Sequence, residues 1–174
     1  MRGMHKIGLA AVLLGLAGCA TVDTVSSPAH ADKSARWAML PIVNHTETPQ
    51  AGLRAEGLAE SLLRSEGVRD VTPYPASLSD DALLEPSQRR GQDAALEWAK
   101  SQGMQYALTG SVEEWRYKVG VDGEPAVGIT LQVIDVGSGK VIWSGAASKS
   151  GWSRDGLSAV AQKLIRGLIA DAVK

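Results

Sequence analysis

One cysteine in 174 residues, at position 19, removes internal disulfides from every fold this chain could adopt, so packing alone must hold it together. Its position is as informative as the count. Cys19 closes the run Leu16-Ala17-Gly18-Cys19, behind an apolar stretch Ile7–Leu16 and a basic start of Arg2, His5 and Lys6. Basic, apolar, then small is the layout of a secretory signal, and it is too short for a stable bilayer span. An ordinary cleaved signal with a chance cysteine is the plain alternative.

With a cysteine directly after the cut, this segment resembles the lipobox of bacterial lipoproteins. The resemblance implies that residues 1–18 are a lipoprotein signal and that Cys19 becomes an acylated N-terminus. Each buried CH2 contributes ~0.8 kcal/mol, so several chains would hold the protein to a membrane almost permanently. Ala20 stands where lipoproteins retained at the inner membrane carry Asp, which implies the outer membrane and its periplasmic face. Residues 19–35 are expected to be the acylated cysteine and a flexible tether of Thr, Ser, Pro, Ala and His30, with no apolar periodicity. Such a coil reaches roughly 20 Å and should not pack. Residues 36–174 remain as a single domain.

The charge balance is mildly acidic. Losing Arg2 and Lys6 with the signal leaves 16 Lys+Arg of 18 against 19 Asp+Glu, a net of −3. This argues against a nucleic-acid partner, which calls for a basic face, and leaves room for a cationic ligand. There is no Phe; five Trp and three Tyr supply the aromatic bulk.

Patterning predicts the order β-α-β-α-β-β-β-α. Arg36–Val43 reads as a buried opening strand. Ala51–Glu66 has helical spacing, with Leu53, Gly57, Leu58, Leu62 and Leu63 on one face and Gly67 as its stop. Val68–Tyr74 is a short strand, placed near an edge by Pro73. Ser87 is expected to cap a helix over 88–102, with Ala94, Ala95, Trp98 and Ala99 inward. Gln105–Val119 alternates until Glu113-Glu114, where a bulge is expected. Asp-Gly within Gly120–Glu124 signals a hairpin into Ala126–Val136, and Gly137–Lys140 turns into Val141–Ser150. Ser153 is expected to cap a last helix to Val173, with Leu157, Val160, Ala161, Leu164, Ile165, Leu168 and Ala172 in its stripe. The fold class is α/β, a mixed sheet covered by helices.

Catalytic signals are sparse. His45 is the one histidine of the domain and reads as a turn residue; no G-x-S-x-G, H-E-x-x-H, Cys/His cluster or Walker motif is present. No metal, cofactor or enzymatic activity is expected. Asp80-Asp81 reads as solvated loop. Glu113 and Glu114, as strand neighbours, are expected on opposite faces and so not as an acid–base pair. Two residues keep a second reading open. Asp122 suits a tight turn, but repeated around a ring it would concentrate negative field at a pore. Trp152 fits a hydrophobic staple onto Leu157, or an exposed ring at a membrane interface.

The stretches Trp37-Ala38-Met39-Leu40-Pro41-Ile42-Val43-Asn44, Thr48-Pro49-Gln50-Ala51-Gly52 and Glu114-Trp115-Arg116-Tyr117-Lys118-Val119-Gly120, continuing through Gly123–Leu131, resemble the PelC family of outer-membrane lipoproteins of Pel exopolysaccharide export. The resemblance spans nearly the whole chain. It implies a fold like the N-terminal domain of TolB and a homo-oligomeric ring of twelve subunits beneath the outer-membrane barrel of PelB. It also implies an acidic pore that guides a cationic polysaccharide, with Asp122 in the pore and Trp152 in an aromatic belt on the membrane. The alternatives are a monomeric lipoprotein that binds and activates a cell-envelope enzyme, a curli-type pore needing transmembrane hairpins, and an enzyme.

Overall fold

A computed structural model of the chain describes residues 20–26, 31–78, 85–120 and 123–173. These form six strands and three helices: β1 (Ala20–Ser26), β2 (Arg36–Asn44), α1 (Ala51–Ser65), β3 (Asp70–Pro73), α2 (Glu85–Ser101), β4 (Tyr106–Tyr117), β5 (Pro125–Asp135), β6 (Lys140–Ser150) and α3 (Leu157–Ala172). One mixed sheet holds all six strands in the order β1-β6-β5-β4-β2-β3. β2 is parallel to β3 and to β4, and the remaining pairs are antiparallel.

The placement of the helices follows from this order. The chain steps from β2 out to β3, then reverses past β2 to β4. Right-handed crossovers in opposite directions put their helices on opposite faces. Accordingly, α1 and α3 pack on the face that carries Trp37, Met39, Leu108, Val112, Trp115, Ile129 and Leu131. α2 covers the other face only around Ala38, Leu40, Ala107 and Val136. Tryptophans do the filling that Phe would do elsewhere: Trp37 and Trp115 are buried, and the Trp37 indole N–H donates to the Asp32 carbonyl at 3.0 Å.

Pro41 shapes the centre of the sheet. Without an N–H it cannot continue the ladder, and the β2–β4 register shifts between Met39 and Ile42. Side chains satisfy the backbone groups this frees. Glu56 of α1 accepts the Ile42 N–H at 2.8 Å, and the Thr109 hydroxyl donates to the Pro41 carbonyl at 2.8 Å. Gly52 permits the close approach of α1, because a Cβ there would collide with the Ile42 carbonyl oxygen.

Several expectations hold. The Glu113-Glu114 bulge is present as a shift in the β4–β5 register between Val112 and Glu114, and β3 with Pro73 lies at the sheet edge. The α3 stripe is buried as expected, with Ile169 added and Leu157 only partly buried.

Four local expectations are corrected. Ala20–Ser26, read as free tether, is an edge strand whose seven residues pair with β6. Its Thr and Val residues suit a strand, and β6 would otherwise leave an open edge. On α1 the inward stripe is Ala51, Ala55, Ala59, Leu62 and Leu63, while Leu53 is 62% exposed and Gly57 is also exposed. Small alanines let the helix sit close to the sheet, which larger leucines would prevent. α2 begins at Glu85, so Ser87 lies inside it rather than capping it, and Ala94 is exposed while Ala95 and Ala99 are buried. α3 begins at Leu157, with Gly156 at its cap and no side-chain cap, so Ser153 does not cap it.

Candidate functional site

Cys19, Asp80, Asp81 and Asp122 lie outside the described residues. Trp152 does not, and its two readings separate. A staple needs the residue just before the cap to meet the fourth helical residue. With Gly156 at the cap, Trp152 is four residues before it, out of that register. The Trp152 N–H donates to the Asp155 carboxylate at 2.9 Å, and the Asp155 N–H donates back to the Trp152 carbonyl at 2.8 Å. This closed turn holds Trp152 at 69% exposure, the indole facing solvent.

Backbone register places Trp152 at one end of the sheet. Tyr117 pairs with Pro125, and the Gly151 N–H donates to the Pro125 carbonyl at 2.8 Å. The Lys118 N–H donates to the Glu124 carbonyl at 2.7 Å, continuing the β4–β5 ladder past the last paired row. On the other side of β6, Ala20 stands opposite Lys149. The end of β4, the starts of β5 and β1, and the end of β6 therefore share this end of the fold. The Gly137–Lys140 turn lies at the opposite end.

A second cluster lies where the β2–α1 loop meets the β4 bulge. His45 Nδ1 is 3.1 Å from the Glu113 carboxylate, and the Ser111 hydroxyl donates to the same carboxylate. The serine bonds the carboxylate rather than the imidazole, so Ser111 and His45 do not form a nucleophile–histidine pair. The Ser111 hydroxyl, then His45, hold the Glu113 carboxyl below the usual carboxylate range. The loop is fixed by Asn44, which accepts from Thr46 and donates to the Thr48 carbonyl, and by the Thr48 hydroxyl, which donates to the Trp115 carbonyl. Glu113, Thr130, Ala146 and Ser148 line a shallow cleft on the sheet face that α2 leaves open.

The bulge also corrects the expectation for Glu113 and Glu114. A Cβ built on Gly128 would lie 3.4 Å from the Glu114 Cβ and 3.7 Å from the Glu113 Cβ, so both leave the strand on that side. An extra residue in one strand breaks the two-residue alternation. Each carboxylate then takes its own partner, Glu113 with His45 and Glu114 with Arg116 at 2.9 Å. Elsewhere, burial pushes the Glu56 carboxyl up, against the lowering effect of its bond from Ile42. Among the described residues, no group of three or more His, Cys, Asp or Glu could hold a metal ion, and no helix is long and apolar enough to cross a membrane.

Sequence reasoning did not single out the His45–Glu113 contact, the Trp152–Asp155 turn or the β1 pairing. The expected bulge was the available signal for the first, since an extra residue re-aims side chains. The second joins residues three apart, but nothing in their types marked the turn. For the third, the Thr and Val residues of Ala20–Ser26 favour extended backbone but show no two-residue alternation.

No family model matches the chain, and no curated protein matches it. Among solved structures it is similar to a PelC dodecamer from Paraburkholderia phytofirmans, at 43% identity and TM-score 0.75, over 90% of this chain and 99% of that one. A second PelC dodecamer structure from the same species gives 43% identity and TM-score 0.76, over 90% and 100% of the two chains. The lipoprotein GNA1162 from Neisseria meningitidis, at 17% identity and TM-score 0.54 over 79% and 96%, shares the fold.

Proposed function

Because the chain belongs to the PelC family, we propose that it is an acylated lipoprotein that assembles as a ring of twelve on the periplasmic face of the outer membrane and assists export of a cationic exopolysaccharide, the Pel polymer. Cys19 carries the acyl chains. Trp152 rests in the interface of the membrane, where an amphipathic ring is favoured. Asp122 lines the pore, and the polymer passes on to an outer-membrane barrel, PelB.

One observation carries this reading: 43% identity to dodecameric PelC over 99% of that chain. The exposure of Trp152 supports the belt, and the acidic balance of the chain supports a cationic cargo. The physics suits transport. Twelve anchors on one ring give strong avidity for the membrane while each remains simple. A carboxylate repeated around a pore attracts protonated amines weakly and repeatedly, and a polymer so held keeps moving, whereas tight binding would stall it.

The test is secretion by cells that carry Asp122→Ala as their sole copy. The proposal expects less secreted polymer with unchanged melting temperature and ring mass. Normal secretion removes Asp122 from the pore.

A further inference from the structure

Val119 is 98% exposed, an aliphatic side chain that the described fold leaves open to solvent. Tyr117, two residues earlier, is 51% exposed, with its hydroxyl accepting the Leu157 N–H at 3.1 Å. Both sit on the arm of the β4–β5 hairpin at the Trp152 end of the sheet. Tyr117 is level with Pro125 and Gly151, and Trp152 follows Gly151 directly. Val119 lies two residues beyond Tyr117, just past the last ladder bond at Lys118. Val119, beyond the end of β4, and Trp152, beyond the end of β6, are therefore two exposed apolar side chains at the same end of the sheet.

The chain's own beginning says what covers them. β1 runs antiparallel to β6 and brings Ala20 opposite Lys149, three residues before Trp152. Cys19 is one peptide bond further, about 3.8 Å between Cα atoms. Residues 20–26 pair along their whole length, so an anchor on Cys19 draws this end of the sheet, and no other, toward the bilayer. Charge is balanced at this end: Lys118, Lys149 and Arg154 stand against Asp122, between β4 and β5 in the sequence, Glu124, which lies 3.8 Å from Lys118, and Asp155, which is engaged by the Trp152 amide.

We propose that the hairpin arm carrying Tyr117 and Val119 is a second lipid-contact element, which together with Trp152 seats this end of the sheet on the headgroup–acyl boundary of the leaflet that holds the anchor. The inference rests on Cys19 acylation and on the Trp152 belt proposed above. Two separated contacts fix the tilt of each subunit, which an anchor before β1 and a ring after the adjacent β6 would leave free.

Cys19 is the chain's one cysteine, so once it is acylated a cysteine introduced elsewhere is a unique thiol. Val119→Cys, Trp152→Cys and Lys140→Cys, the last at the opposite end of β6, are made in the acylated protein. They are labelled with an environment-sensitive nitrobenzoxadiazole and reconstituted in vesicles of phosphatidylethanolamine and phosphatidylglycerol. The proposal expects blue-shifted emission, quenched by brominated acyl chains, at positions 119 and 152 but not at 140. A water-like, unquenched label at 119 beside a quenched label at 152 overturns the hairpin contact and leaves the Trp152 belt standing. Labels unquenched at both positions overturn both. A blue shift at 119 that persists without lipid and ignores bromine assigns Val119 to a neighbouring subunit and overturns the proposal.

Discussion

Ala20 lies opposite Lys149 in the β1–β6 ladder, so the strand that follows Cys19 is stitched to the strand that leads into Trp152. This removes the slack that a free tether would have given. A coil of the whole 20–35 segment would let the domain wander roughly 20 Å from its anchor. With Cys19 acylated as proposed, a paired strand would fix both the distance and the end that faces the bilayer.

Replacing residues 20–26 with a Gly/Ser sequence should leave the domain folded but open the β6 edge. Hydrogen exchange should then accelerate at those β6 amides between 143 and 149 that donate to β1, while the alternate β6 amides that donate to β5, and the amides of β4 and β5, stay protected. Unchanged exchange in β6 contradicts the pairing.

Trp152→Ala should change unfolding free energy by no more than about 0.5 kcal/mol, as for an exposed side chain. A buried staple would cost several times as much, about 3 kcal/mol. Denaturant titration separates the two values. A large loss would return the indole to the core.

Glu56 gives a pH signature. Burial raises its folded pKa above the unfolded value, so the folded state holds more protons in the window above the ordinary carboxylate range. Its contribution to stability therefore falls as pH rises through that window. Glu56→Gln keeps an acceptor for the Ile42 N–H and removes the charge. Relative to that variant, the native protein should lose stability as pH climbs from about 4.5, the usual glutamate value. A difference that grows in the other direction contradicts the burial of this carboxyl.

Glu113 should behave with the opposite sign. The Ser111 hydroxyl, then His45, lower its folded pKa, so its contribution is present above the unfolded value and is lost as pH falls through the lower folded one. Ser111→Ala should move the Glu113 titration, followed by carboxyl NMR shifts, back toward the ordinary range. His45→Ala should move it less. Equal or reversed effects would show that the hydroxyl is not the main partner.

Gly110 tests the close pairing of β4 with β5. A Cβ there would land on the Thr130 carbonyl oxygen. Gly110→Ala should destabilise the domain by about 3 kcal/mol, because backbone must move to accept it. A thermal melt within a degree of the native protein would contradict this packing.

The architecture was legible in the sequence where one period dominated. The alternation of Val127, Ile129, Leu131 and Val133 and the long stripe of α3 each leave one way to bury an apolar face, and the structure follows both. Legibility failed where small residues carry the contact. α1 turns its alanines inward because Gly52 and the Pro41 break bring strand and helix close, a demand made by tertiary packing that a search for leucines misses. The cap at Ser153 failed for a local reason: Asp155 closes its own turn with Trp152 and delays α3 to Leu157. Of the candidate residues, Trp152 was ambiguous in sequence because the staple and the exposed ring share one local pattern; only the start of α3 divides them. The β1 pairing was hidden because a short Thr/Val run becomes a strand only when a neighbouring edge is available.

The central claim is assembly, and the native mass of the acylated protein, extracted in detergent, tests it most directly. The account predicts one discrete species of twelve subunits, as in the dodecamers to which the chain is similar. A monomer at every concentration and in every detergent would contradict the ring, and with it the pore reading of Asp122.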